Sequence, residues 1–261
     1  LHCDLIRRGQ PYGARRWIAF LQRISNRNIF PVSDKENVIC SINKRSTMEL
    51  AYTMMTSFWE TLKTKQHTLK RRRNNDTVIW IQKDPATSIV SATATCCLPV
   101  DSAYVYNFFT DNPTILQGKF LSSASSMYEI ARIIAGENQR NFVSLLRVNL
   151  QGGDGYLVLQ ECFTDTKSSF VVCATIDDAT ALNVVVKGEG NSNSPMLPGG
   201  VMIFGDDSAI GDHLPSRCFV TVVLNILDGN SSSSMEKNTF ANINNYLASN
   251  VHKLKNIFRQ S

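Results

Sequence analysis

The chain reads as an α+β protein, a run of antiparallel strands closed by one long amphipathic helix. Three observations predict it. Residues 141–176 hold three β-rich runs separated by turn chemistry. Further strand-like runs recur from 78 to 227 with only a short helical segment among them. Phe240, Ile243, Leu247, Val251, Leu254 and Phe258 step by three or four residues, the clearest helical stripe in the sequence. Strands followed by a helix, without regular alternation of the two, place helix and sheet in separate layers.

Taken in order, Pro11 opens a helix over 11–27, with Ala14, Trp17, Ile18, Leu21 and Ile24 at helical spacing. That helix has no local partner for its stripe. It is expected to be the remnant of a domain upstream, loosely packed or docked on residues 45–65. Residues 28–44 are polar and aperiodic and read as a linker. A second helix is predicted over 45–65, with Met48, Ala51, Met54, Met55, Phe58 and Leu62 on one face and no Gly or Pro inside. Strands follow at 78–82 and 89–98, the latter ended by Pro99. Asp101 suits the N-cap of a short helix through Phe109, which Pro113 stops.

Residues 114–125 show no clear pattern, and 127–134 read as a strand. The central triplet is 141–148, 156–163 and 169–176. Its breaks, Gln151-Gly-Gly-Asp-Gly155 and Thr164-Asp-Thr-Lys-Ser168, are hairpin turns. Apolar residues occupy both parities of these strands, so both faces of the sheet are expected to be covered. Leu182–Lys187 and Gly200–Phe204 look like short strands, with loops at 188–199 and 205–217. A strong strand covers 217–227, and Ser234 can cap the final helix. The stripe of that helix is expected in the concave face of the sheet, a geometry that can leave a cavity.

Composition narrows the class. Of 261 residues, 43% are hydrophobic and 19% charged, enough apolar surface for a substantial core and too little charge for a disordered chain. The net charge of +5 is mild and lies mostly in Lys70-Arg-Arg-Arg73 and in Arg7, Arg8, Arg15 and Arg16. The seven cysteines form no CxxC pair and no metal-ligand spacing. Most sit in apolar strand-like runs, where a thiol behaves as a small hydrophobe, and a reducing compartment is expected. Asn230-Ser-Ser232 is formally a glycosylation sequon but follows no signal peptide. No apolar run reaches membrane-span length. The chain opens at Leu1 in mid-pattern, and a piece of a longer protein is expected.

No catalytic constellation emerges. His2, His67, His213 and His252 are scattered in polar contexts that suit solvated side chains. There is no GxSxG, HExxH, P-loop or dinucleotide-binding fingerprint. No cofactor and no metal are expected. Lys70–Arg73 suits a nuclear-localisation or nucleic-acid patch, and at least as well a solvated edge strand or loop carrying charges; without interleaved aromatics it is a poor single-strand binder. Arg147 and Glu161 lie on adjacent predicted strands among apolar neighbours. They are candidates for a cross-strand ion pair, or for polar groups inside a cavity.

Some of these segments also resemble a known family. Tyr12-Gly-Ala-Arg-Arg-Trp-Ile-Ala-Phe-Leu-Gln-Arg23 is similar to the end of the START domain in plant class IV homeodomain-leucine zipper proteins. Leu98-Pro-Val, Val143-Ser-Leu-Leu-Arg147, Leu157-Val-Leu-Gln-Glu161, Asn183-Val-Val185 and the Asn244-Asn-Tyr-Leu247 helix resemble, in order, the START-adjacent region of that family. Gln117-Gly-Lys119 stands where the family usually has Trp-Asp, and 71–75 and 188–195 also depart, the pattern of a diverged member.

The resemblance implies a helix-grip, START-like antiparallel sheet with a long C-terminal helix. It divides the chain into the end of an upstream START domain (1–27), a linker (28–44) and a START-adjacent, START-like domain (45–261). It implies a non-enzymatic regulatory module of a nuclear transcription factor, sensing a lipid or sterol ligand or a protein partner. The full-length protein would be a homodimer or heterodimer, reaching DNA only through a homeodomain absent from this chain. The alternatives are a stand-alone hydrophobic-ligand or lipid-binding protein of the same fold, and an enzyme using a polar group in the cavity.

Overall fold

The structure is a computed structural model describing residues 43–63, 68–74, 77–83, 89–111, 124–150, 153–165, 168–189, 196–205, 217–227 and 233–259. The helix expected at 11–27 and most of the linker lie outside these residues. In order the elements are α1 (Lys44–Lys63), β1 (Thr68–Asn74), β2 (Thr77–Lys83), β3 (Ile89–Leu98), α2 (Ser102–Asp111), β4 (Ala124–Ile134) and β5 (Phe142–Leu150). They continue as β6 (Gly153–Thr164), β7 (Ser168–Ile176), α3 (Asp178–Thr180) running into a π-helical turn (Ala181–Val186), β8 (Gly199–Gly205), β9 (Cys218–Leu227) and α4 (Ser233–Arg259).

The described strands make one antiparallel sheet in the order β1-β2-β3-β9-β8-β7-β6-β5-β4. Strands β4 to β9 form an unbroken meander, and β9 returns to pair with β3 from Ile89↔Leu227 to Leu98↔Cys218. The two hairpins of the central triplet form as predicted. The second is pinned by Asp165, whose carboxylate accepts from the Ser168 N–H at 2.7 Å. At Gly200 the backbone of β7 passes so closely that any Cβ would meet the Val171 carbonyl oxygen.

Side-chain alternation sends the central strands into two separate cores. Even-numbered residues of β3, β5 and β6, among them Val90, Leu98, Leu146 and Val158, enter one core. That core is closed by Val105, Tyr106 and Phe109 of α2 and by Ile243, Leu247, Val251, Leu254 and Phe258 of α4. The predicted stripe of the last helix is therefore the buried stripe, and α4 lies against β2 and β3. Odd-numbered residues of β5 and β6, such as Val143, Leu145 and Leu159, enter the second core under Met48, Ala51, Met54, Met55 and Phe58 of α1. Each such fully buried side chain contributes about 1.5–3 kcal/mol of transfer free energy. Coverage of both faces, expected from the mixed parity of the strands, is thus achieved by two helical layers.

The segment 182–187 corrects the expectation of a strand. Its β-branched Val184-Val-Val186 favours extended backbone, but the residues before it start a helix. The Asp177 carboxylate accepts from the Thr180 N–H at 2.6 Å and from the Thr180 hydroxyl at 3.1 Å. Ala181, Val184 and Val185 then fall at helical spacing and pack against α1, while Leu182 stays 51% exposed. The Lys187 N–H donates to the Leu182 carbonyl at 3.0 Å, a π-type bond, and Gly188 at φ 73° ends the element. Capping and burial outweigh local propensity here.

Candidate functional site

Arg147 and Glu161 are not brought together. They share the α1-facing side of the sheet, but Arg147 pairs across to Leu157 and Glu161 to Val143. That leaves them about 13 Å apart along the strands. Arg147 instead lies 3.9 Å from the Asp178 carboxylate, a half-exposed pair of little energetic weight. Glu161 is buried. Lys70–Arg73 fall on β1, one of the two edge strands among the described strands. His252 sits on α4 beside the Asn256 amide, 3.1 Å away; the other three histidines lie outside the described residues.

Five of the seven cysteines are described, and all are thiols. Burial pushes Cys162 and Cys218 well above the ordinary thiol range, which suppresses the thiolate and with it nucleophilic chemistry. Among the described residues no group of three or more His, Cys, Asp or Glu is placed to hold a metal, and no helix is long and apolar enough to cross a membrane.

The gripped face carries a different polar feature. Ser144 on β5 and Gln160 on β6 are direct cross-strand partners, each 1% exposed. Their even numbering turns them into the core closed by α2 and α4, beside Phe142, Leu146, Val158 and Cys162. The Gln160 Nε2 donates to the Cys162 Sγ at 3.2 Å. The Gln160 Oε1 and the Ser144 Oγ have no hydrogen-bond partner. On one side of this pair Cys173 follows on β7, its Sγ 3.6 Å from the Gly199 carbonyl oxygen. On the other side Arg132 of β4 faces Ser144. Its guanidinium lies over the Phe142 ring and is bonded to the Glu129 carboxylate at 2.8–3.0 Å. Tyr106 of α2 is held over the same core by its hydroxyl, which donates to the Arg140 carbonyl oxygen at 2.5 Å; burial, then the neighbouring Cys162, push its ionisation far up.

Sequence reasoning missed Ser144 and Gln160. The available signal was their parity: each is a polar residue at a core-facing position, two places from apolar residues of the same face. That parity had meaning only once a face was known to be gripped.

Comparison with known proteins fits this architecture. A family model for the PDF2-like, C-terminal domain matches residues 41–260. The chain belongs to that family. The chain is 30% identical over 269 aligned residues to the homeobox-leucine zipper protein HDG12 of Arabidopsis thaliana, covering 97% of this chain. It is 30% identical over 289 residues to the homeobox-leucine zipper protein ROC8 of Oryza sativa subsp. japonica, covering 98% of this chain. The chain spans 39% and 41% of the lengths of these two relatives. The expected resemblance to class IV homeodomain-leucine zipper proteins is thereby borne out. Among solved structures the PDF2-like chain superposes on human StAR-related lipid transfer protein 5 with a TM-score of 0.51 at 9% identity, covering 83% of this chain and 99% of that one. At that identity the likeness establishes the START-like fold alone.

Proposed function

We propose that this PDF2-like domain is a non-enzymatic regulatory module of a homeodomain-leucine zipper transcription factor, acting in the nucleus. Its START-like grip senses an apolar ligand, and the factor responds through altered stability or dimerisation. The observation that carries this reading is the gripped sheet face. It presents two unpartnered polar atoms within an apolar core and, among the described residues, no nucleophile–base arrangement. A ligand bound only to the folded state stabilises that state by mass action, which suffices to change the abundance or pairing of an attached factor. The lipid transfer named for the structurally similar human protein supports a lipid as the ligand class. DNA contact is assigned to a homeodomain outside this chain. Arg147 and Glu161, on the opposite face, are assigned to the packing of α1 and α3 on the sheet rather than to the ligand.

The test is a fusion of residues 1–261 to a heterologous DNA-binding domain and activator, with reporter output and fusion abundance measured in plant cells. Purified protein is analysed in parallel by native mass spectrometry. A change in output relative to the fusion lacking 1–261, with a small apolar molecule retained by the purified chain, is the expected result. Unchanged output and abundance, with no retained molecule, overturns the reading. Retained lipid with unchanged output favours the stand-alone lipid-binding alternative.

A further inference from the structure

Two facing polar side chains, both buried and each with an oxygen lacking a partner, are costly inside an apolar core. Each unsatisfied atom forfeits about 1–3 kcal/mol of hydration without a compensating bond. Ser144 and Gln160 are direct partners on neighbouring antiparallel strands, so their Cβ atoms stand about 5 Å apart on the same face. The missing interactions therefore converge on one point of the gripped face. The rows above and below are apolar: Phe142 and Val171 on one side, Leu146 and Val158 on the other. Thr175, which pairs with Val158 and shares its face, is exposed, so the gripped face meets solvent one row from the pair.

We propose that Ser144 and Gln160 form the polar anchor of a ligand site on the gripped face, taking the hydroxyl of an otherwise apolar, uncharged molecule. A hydroxyl matches both vacancies at once: it donates to the Gln160 Oε1 and accepts from the Ser144 O–H. A carboxylate does not match, because it cannot donate to the amide oxygen. The neighbouring cation, Arg132, is already committed to Glu129. The flanking apolar rows suit the body of the molecule. This inference rests on the proposed apolar-ligand reading and specifies its polar contact.

The experiment uses the full chain with two isomeric probes, decan-1-ol and 1-methoxynonane, which differ in having a hydroxyl donor. Affinities are measured by displacement of a fluorescent apolar dye, for the native chain and for Ser144→Ala and Gln160→Leu. The alcohol is expected to bind about tenfold tighter than the ether, equivalent to ~1.4 kcal/mol. Gln160→Leu, which removes the acceptor for the donated bond, is expected to bring the alcohol to the level of the ether, whereas Ser144→Ala is expected to weaken both probes and leave the preference, because an ether oxygen also accepts from the Ser144 hydroxyl. Equal binding of both probes to the native chain overturns the anchor and leaves the apolar-ligand reading standing. So does a preference that survives in Gln160→Leu, as it would if the pair held only a structural water. If neither probe binds, the apolar-ligand reading fails and the anchor with it. Ser144→Ala removes a single oxygen and keeps the matter decidable even if Gln160→Leu does not fold: unweakened binding of both probes to it overturns the anchor.

Discussion

Asn43 donates its backbone N–H to the carbonyl oxygen of Val185 at 2.8 Å, tying the start of α1 to the end of the π-helical turn. The same residue caps α1: its side-chain oxygen accepts from the Ser46 N–H at 3.0 Å. Ser46 returns toward the Gly188 carbonyl oxygen at 3.4 Å. Two segments some 140 residues apart in sequence thus end on each other. The layer covering the outer face of the sheet is one assembly of α1, α3 and the π-helical turn.

Gly188→Ala is expected to lower stability by about 1–2 kcal/mol. At φ 73° an L-residue carries a steric penalty of that size, and the added methyl would also meet the Asn43 side chain. A urea titration followed by far-UV circular dichroism measures the loss. An unchanged midpoint would mean the Asn43 joint does not constrain this backbone.

Asp177→Ala is expected to cost about 1 kcal/mol by removing the cap that starts the helical turn. The effect should be local. Amide hydrogen exchange over 180–187 should quicken well before that of β5 and β6. Equal acceleration everywhere would show that the turn melts only with the whole domain.

Leu247→Ala should cost about 2–5 kcal/mol, because Leu247 is fully buried between α4 and the sheet. Ser249→Ala, on the exposed side of the same helix, should change stability by less than about 0.5 kcal/mol. Comparable losses from the two would contradict the assigned face of α4.

Stability should fall in alkali. Cys162, Cys218 and Tyr106 are buried as neutral acids, and desolvation raises each above its ordinary value of 9.0 for the thiols and 10.0 for the phenol. Above those values the unfolded chain has lost protons that the folded chain keeps. The stabilisation is therefore full below about pH 9 and is lost progressively as the pH climbs beyond it. Urea midpoints measured from pH 7 to 11 should decline above pH 9. The decline should be shallower in Cys162→Ala, even though that variant starts less stable. An identical slope would remove Cys162 as a contributor.

Much of this protein is legible in its sequence because the hydrophobic pattern repeats at the period of the element that buries it. The stripe from Ile243 to Phe258 gave α4 and its buried side, and Met48 to Phe58 gave α1. The β-rich runs of 141–176 gave three strands and two hairpins. The segment 182–187 was misread because Val184-Val-Val186 satisfies strand propensity. Asp177, Thr180 and Gly188, the start and stop signals of a helix, flank it at a distance. Arg147 and Glu161 were singled out because they are charges within apolar strands. The register of β5 on β6 then separated them by four residues, and register is a property of the pair, not of either strand.

The sequence by itself determined most of the elements, because local periodicity and caps act within a few residues. It also determined the family, through segments kept in order along the chain. Only the tertiary structure decided that β9 closes on β3, and that two helical layers share one sheet. Only it decided that Ser144 and Gln160 meet, buried and each with an oxygen left without a partner. These facts depend on which strand lies beside which and on what covers each face. Contacts between residues far apart in the chain settle them, and no local pattern encodes those contacts.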